Sequence, residues 1–213
     1  MSIDAKTVGE LRERTGAGMM AAKKALEESN GDVDGAIEIL KKTGAAKAAK
    51  RAGRSTGEGL IYSYVHTTGK LGVMIELQCE TDFVARNEDF KELAHKLAMH
   101  IAAADPMFLE VEGITPEAME KAKAQFTEEA AGKPDDVIAT IVEGKMAKLH
   151  SEEVLLKQPF VMDEDKTIEQ VLTEAISKIG ENIRISRFAR FNIEGGMTAC
   201  GMVDLPEVME DAE

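Results

Sequence analysis

Tryptophan is absent from this 213-residue chain, aromatic residues make up only 4% of it, and cysteine occurs twice. Each scarcity excludes something. Few aromatics leave few platforms on which nucleic-acid bases could stack. Cys79 and Cys200 are too few for a disulfide framework and fit a reducing cytoplasm. No apolar run approaches the roughly 18 to 20 residues that a membrane-spanning helix needs. The opening residues, Met1 to Lys6, have neither the apolar stretch of a signal peptide nor the Arg/Ser richness of a transit peptide. Cys-x-x-Cys, His-Glu-x-x-His and Gly-x-Ser-x-Gly are all missing, and the glycine-rich segment Gly53 to Gly59 lacks the Gly-Lys-Ser/Thr ending of a phosphate loop. Of the four histidines, His95 and His100 are five apart, which puts them off a common helix face and makes a poor metal pair. No catalytic group, metal site or cofactor site is expected. A chain of this kind is not expected to be an enzyme.

What is present is an ordinary globular composition, with 44% hydrophobic and 31% charged residues and a net charge of −13. The charge is uneven. Residues 1–54 hold 11 Lys/Arg against 8 Asp/Glu, and residues 55–213 hold 15 against 31. Nucleic-acid binding depends on a basic surface that releases counterions, so an acidic body points to protein partners instead.

The first 43 residues read as three short helices. Val8 and Leu11 line one stripe, joined by Ile3; Met19, Ala22 and Leu26 line a second; Val33, Ile37 and Leu40 line a third, with Asp32 as N-cap and Gly44 as the expected stop. Three narrow stripes can be buried only against one another, so the module is expected to work attached to a larger body. Six positive charges and no negative one follow between Lys41 and Arg54. The simplest reading is a solvated linker helix that frays into a Gly/Ser-rich joint; the alternative is an RNA- or ribosome-binding segment.

From Glu58 the period changes to two. Leu60 to Thr67 and Val73 to Cys79 alternate on either side of a turn signal at Thr67 to Lys70, which predicts a β-hairpin with Val73, Ile75, Leu77 and Cys79 on its buried face. Phe90, Leu93, Leu97 and Ile101 then mark a helix ended by Pro106. Helices are expected near 115–131 and 134–148, an extended piece at Pro159 to Met162, and a helix from Thr167 to Gly180. A strand is expected over Asn182 to Ile193 with one side partly exposed. The class is α+β: a helical module over 1–54, then a core over 55–213 with an antiparallel sheet packed against helices.

Two segments are more specific than any of these patterns. One is Val8-Gly9-Glu10-Leu11-Arg12-Glu13-Arg14-Thr15-Gly16-Ala17-Gly18-Met19-Met20, continuing through Lys23 to Leu26; the other is Cys79-Glu80-Thr81-Asp82-Phe83-Val84-Ala85-Arg86-Asn87. Supporting them in order are Tyr64-Val65-His66, Gly69 to Val73, Gln158 to Val161, and Lys178-Ile179-Gly180-Glu181-Asn182-Ile183. Together they resemble the elongation factor Ts family, from the start of the chain to about residue 191. The resemblance implies a ubiquitin-associated-like N-terminal bundle and a guanine nucleotide exchange role in translation elongation, with elongation factor Tu as partner.

It also implies site residues. Thr81, Asp82, Phe83 and Val84 become the loop that approaches the nucleotide domain of the partner and disturbs its magnesium ion. Val8, Leu11, Arg12, Met19, Met20 and Lys23 become a docking region, and Gly180 and Asn182 join the contact residues. On the residues alone, the simpler reading is that Phe83 tucks into its own core at a helix entry, and the resemblance reverses that preference; Val8, Leu11 and Met19 have the competing reading of the module's own core. Longer family members carry two related core halves, whereas this chain has one Tyr-x-His hairpin and one Asp-Phe loop. A homodimer is therefore expected, one copy presenting Phe83 and its mate His66. Cys200 has no evident partner in the chain and could lie at such an interface.

Overall fold

Alternating and helical periodicities resolve into eight α-helices and six strands among residues 3–200, which the computed structural model describes. The chain separates into two compact units. The first comprises Met1–Leu60, Gln78–Leu93 and Glu169–Arg184; the second comprises Ile61–Leu77, Ala94–Ile168 and Ile185–Glu213. The change in composition near residue 54 therefore falls inside the first unit, which is assembled from three stretches of chain.

In the first unit, α1 (Ala5–Thr15), α2 (Met19–Glu28) and α3 (Val33–Arg51) form the expected bundle. Asp4 and Asp32 cap α1 and α3 by accepting backbone N–H groups, and Gly16, at φ 67°, closes α1 in the left-handed conformation that glycine adopts without strain. Val8, Leu11, Ala22, Ala25, Leu26 and Ala36 make the small core, with Ile3, Val33, Ile37, Ile39 and Leu40 around it. Two expectations need correction. Met19 is not on the buried stripe, because Ala25 completes the inner face of α2 with Ala22 and Leu26, leaving Met19 52% exposed. Gly44 does not stop α3, which runs on to Arg51. The Ala/Lys run after Gly44 is a strong helix former and outweighs the roughly 1 kcal/mol cost of one glycine. Gly44 is buried, and a Cβ there would meet Ser177 at 3.5 Å. The lysines at 41, 42, 47 and 50 face solvent, as a solvated linker helix requires.

Strands β1 (Glu58–Val65) and β2 (Leu71–Cys79) form the hairpin, and β5 (Arg184–Asn192) and β6 (Gly196–Cys200) complete a four-stranded sheet in the order β1-β2-β5-β6. Along β5 the buried positions change phase, from Ile183 and Ile185 to Phe188 and Arg190, which explains why neither face of the sequence pattern is wholly apolar. β6 has no counterpart in the sequence expectations; it pairs antiparallel with β5, Phe191 opposite Met197. Cys200 lies at its end, where the backbone N–H of Leu109 donates to its sulfur at 2.9 Å. Residues 201–213 lie outside the described part of the chain.

Helix α5 (Glu88–Ala104) buries Phe90, Leu93, Leu97 and Ile101, as predicted. Its second-unit portion lies on the inner face of the sheet. Tyr62 and Tyr64 set their rings edge-on to His95, and the Arg190 guanidinium reaches the Ala102 carbonyl and the Asp105 carboxylate (2.9 Å) at the C-terminal end of the helix. A cation there also suits the helix dipole. Helices α6 (Pro116–Glu129) and α7 (Asp135–Glu153) pack as a pair, and the small ribbon of β3 (Pro159–Phe160) and β4 (Asp163–Thr167) follows. α8 (Ile168–Ile179) belongs, apart from its first residue, to the first unit.

His100 is fully buried in the second unit, and its bonding defines its tautomer. The Val161 N–H donates to Nδ1, so Nε2 carries the proton and donates to Gln158 Oε1 at 2.9 Å. Gln158 in turn donates to the carbonyls of Ala104 and Glu152. Burial lowers the pKa of His100 below its usual value, and the Gln158 bond opposes this only in part.

Candidate functional site

The segment after β2 is a clamped display loop. Thr81 caps the one-turn helix α4 (Asp82–Ala85): its hydroxyl accepts the Val84 N–H at 3.5 Å and donates to Glu181 Oε1 at 2.6 Å. The other oxygen of Glu181 accepts the backbone N–H groups of Glu80 (3.1 Å) and Thr81 (3.0 Å). Glu80 reciprocates by accepting the Asn182 N–H at 2.6 Å and pairing with Arg54 at 3.3 Å. That N–H first, and the Arg54 guanidinium after it, hold the Glu80 carboxyl below the usual carboxylate range. Asn182 Nδ2 donates to the carbonyls of Ala52 and Arg54.

The geometry decides how the loop presents itself. Cys79, at the end of the buried face, donates its thiol to the Thr81 carbonyl; burial, reinforced by the charge of Glu181, pushes its pKa up to about 11. It is an inert core thiol rather than a nucleophile. Asp82 pairs with Arg86 across one helical turn. Phe83 does not fold back onto its own core: it is 81% exposed, the most exposed of the large apolar side chains among the described residues. That exposure excludes the helix-entry staple.

Other candidate residues divide by burial. Arg12, Met20 (77% exposed) and Lys23 are on the surface of the N-terminal bundle with Met19. Val8 and Leu11 are inside it, Leu11 with no exposed surface, so their side chains hold the bundle together instead of offering a contact. Asn182 is buried and spent on the bonds described above. Gly180, at φ 93°, ends α8 and turns the chain towards Glu181. His66 stands exposed at the end of β1, hydrogen-bonded through Nδ1 to the Tyr64 hydroxyl at 3.0 Å. It belongs to the second unit and Phe83 to the first. No group of three or more His, Cys, Asp or Glu among the described residues could hold a metal ion.

Sequence reasoning does not find Glu181, Glu80 and Arg54 as the residues that hold the loop. The one available signal is a carboxylate directly after a helix-ending glycine, and only the fold brings it next to residues about a hundred positions away.

Comparison with known proteins decides the family. The elongation factor TS family model matches residues 14–175. Elongation factor Ts of Thermosipho melanesiensis is 55% identical over 193 residues, covering 90% of this chain and 98% of that protein. The chain belongs to the elongation factor Ts family. The corresponding protein of Koribacter versatilis is 54% identical over 195 residues, covering 91% of this chain and 89% of its own length. That of Geotalea uraniireducens is 48% identical over 199 residues, covering 92% of each. Among the segments that carry the family resemblance, Met19, Met20, Val65, Phe83 and Val161 expose large apolar side chains, Phe83 the most, and His66 is exposed beside Val65.

Proposed function

We propose that this chain is a guanine nucleotide exchange factor of translation elongation, which binds elongation factor Tu carrying GDP and promotes GDP release, so that GTP can bind. The exposure of Phe83 on a loop clamped at its base is the observation that carries this reading. An apolar ring held out in water contributes nothing to its own fold, and it gains free energy only when a partner covers it. Inserted beside the nucleotide site of the partner, Phe83 and its neighbours Thr81, Asp82 and Val84 displace the elements that hold the magnesium ion. The nucleotide-free partner is then favoured over the GDP-bound one.

The coupling is reciprocal: whatever weakens GDP through this chain lets guanine nucleotide weaken the chain's own hold on the partner. Residues 1–54 act as the docking module through Arg12, Met19, Met20 and Lys23, with Val8 and Leu11 supporting that surface from beneath, and residues 55–213 act as the core. No covalent bond is made or broken, so no catalytic residue, metal or cofactor of this chain is invoked. The function places the protein in the cytoplasm, and no described helix is long and apolar enough to cross a membrane.

The active form is a homodimer in which one copy presents Phe83 and the other His66. Support comes from the sheet face opposite α5. Ile61 and Val65 of β1, Met74 of β2, and the opposed pair Phe191 of β5 and Met197 of β6 are exposed there. A second copy of the same face would cover them. The test of the exchange role is release of a fluorescent GDP analogue from elongation factor Tu, which substoichiometric amounts of this chain should accelerate; no acceleration would overturn it.

A further inference from the structure

We propose that Glu181 is the positioning residue of the exchange loop. Its carboxylate fixes the peptide units before Phe83 so that the ring is displayed in one orientation before the partner arrives. The inference rests on the exchange role proposed above and deepens it.

Three bonds converge on one side chain. Glu181 accepts the N–H groups of Glu80 and Thr81 with Oε2 and the hydroxyl of Thr81 with Oε1, the last at 2.6 Å. Bonds to an ionised acceptor are the stronger kind, and a 2.6 Å O–H to carboxylate contact is at their short end. The same hydroxyl caps α4 through Val84, so Glu181 sets the axis of the turn that carries Phe83. The return contact makes the arrangement mutual: Glu80 accepts the N–H of Asn182, so each strand of chain holds the other by a carboxylate.

A merely structural carboxylate would not need this placement. α4 has four residues and buries none of them, so neither its length nor an apolar face holds its orientation. The hydrogen bonds at its start hold it instead. Asn182, next in sequence, donates to the carbonyls of Ala52 and Arg54, just past the end of α3. The turn Gly180 to Asn182 thus ties the end of the N-terminal bundle and the base of the Phe83 loop to one short piece of backbone. Without Glu181 the loop must be ordered during binding, and the cost falls on the step in which Phe83 inserts.

The test uses full-length Glu181→Ala and Glu181→Gln in stopped-flow release of a fluorescent GDP analogue from elongation factor Tu. Circular dichroism melts establish that each variant is folded. Glu181→Ala should lower the maximal release rate at saturating factor about tenfold while the half-saturating concentration moves less than about twofold, because misplacing a reacting group acts on the insertion step. Glu181→Gln keeps an oxygen for the two N–H groups and offers its amide to the Thr81 oxygen, so it should recover most of the rate. In a Phe83→Ala background, Glu181→Ala should add almost no further loss, since the side chain it positions is gone. Amide hydrogen exchange over 80–84 should quicken in Glu181→Ala alone, and this reads the positioning even if the variant is less stable. A parental maximal rate for Glu181→Ala beside an impaired Phe83→Ala would overturn the inference and leave the exchange role standing. Equal losses in both backgrounds would also overturn it, showing an effect through stability. An unimpaired Phe83→Ala would overturn the assignment of Phe83 as the inserting side chain and the inference with it, whereas a parent that fails to accelerate release would overturn the exchange role itself.

Discussion

Phe83→Ala removes the one large apolar group that the protein displays on a clamped loop, and its effect can be worked from exposure alone. The side chain is 81% exposed in the free chain, so truncation leaves no internal cavity and the melting temperature should hardly move. Full burial of a phenylalanine is worth about 1.5–3 kcal/mol, and four-fifths of that, roughly 1.2–2.4 kcal/mol, remains available to a partner. Since about 1.4 kcal/mol corresponds to a factor of ten, the loss should be roughly sevenfold to fiftyfold in stimulated GDP release. The N-terminal module still docks, so the complex should still form. The assay is stopped-flow release of a fluorescent GDP analogue at saturating factor, with a pull-down to follow binding. A variant that releases nucleotide as fast as the parent would refute the argument, as would one whose defect traces to unfolding.

Leu11→Ala should cost about 2–5 kcal/mol within the N-terminal bundle, because Leu11 is fully buried in a small core. Proteolysis of residues 1–54 should reveal this before any change in the rest of the chain. His100 gives a pH dependence. It is buried neutral with a lowered folded pKa, so its contribution is complete above the unfolded value near 6.5 and falls as pH drops from there towards the folded value. Thermal melts from about pH 7.5 to about pH 5 should show a steeper fall for the parent than for His100→Gln, and equal slopes would count against the buried neutral tautomer. Val65→Asp places a charge on the outer sheet face and should shift sedimentation towards the monomer; a parent that is already monomeric at working concentration and still exchanges would remove the dimer from the account.

Much of the fold is legible because its signals are local. Asp32 before an apolar helical stripe, Thr67 to Lys70 between two alternating runs, and Pro106 after α5 each punctuate the chain at the residue concerned. The departures have equally local causes. Gly44 has the look of a stop because a glycine ends many helices, but the helix-forming Ala/Lys sequence beyond it carries α3 on to Arg51. β5 reads as mixed on both faces because its buried positions change phase between Ile185 and Phe188. β6 escapes a sequence reading because Gly196 to Cys200 is short and only pairing with β5 makes it a strand.

The site is legible at its tip and not at its base. Thr81 to Val84 form one continuous segment that resembles a family motif, and it is that resemblance rather than the chemistry of the four residues that singles them out. Glu181, which holds that segment, is about a hundred positions away, and no periodicity connects them. Burial divides the N-terminal candidates in a way that spacing cannot, since Leu11 and Arg12 are neighbours in sequence and face opposite environments.

The central claim is exchange, and the most direct measurement is the rate at which elongation factor Tu releases a fluorescent GDP analogue with and without a trace of this chain. Acceleration at substoichiometric protein, with each molecule acting on many partners, is the predicted result. An unchanged release rate, with both proteins folded and the partner taken from the same organism, would contradict the account.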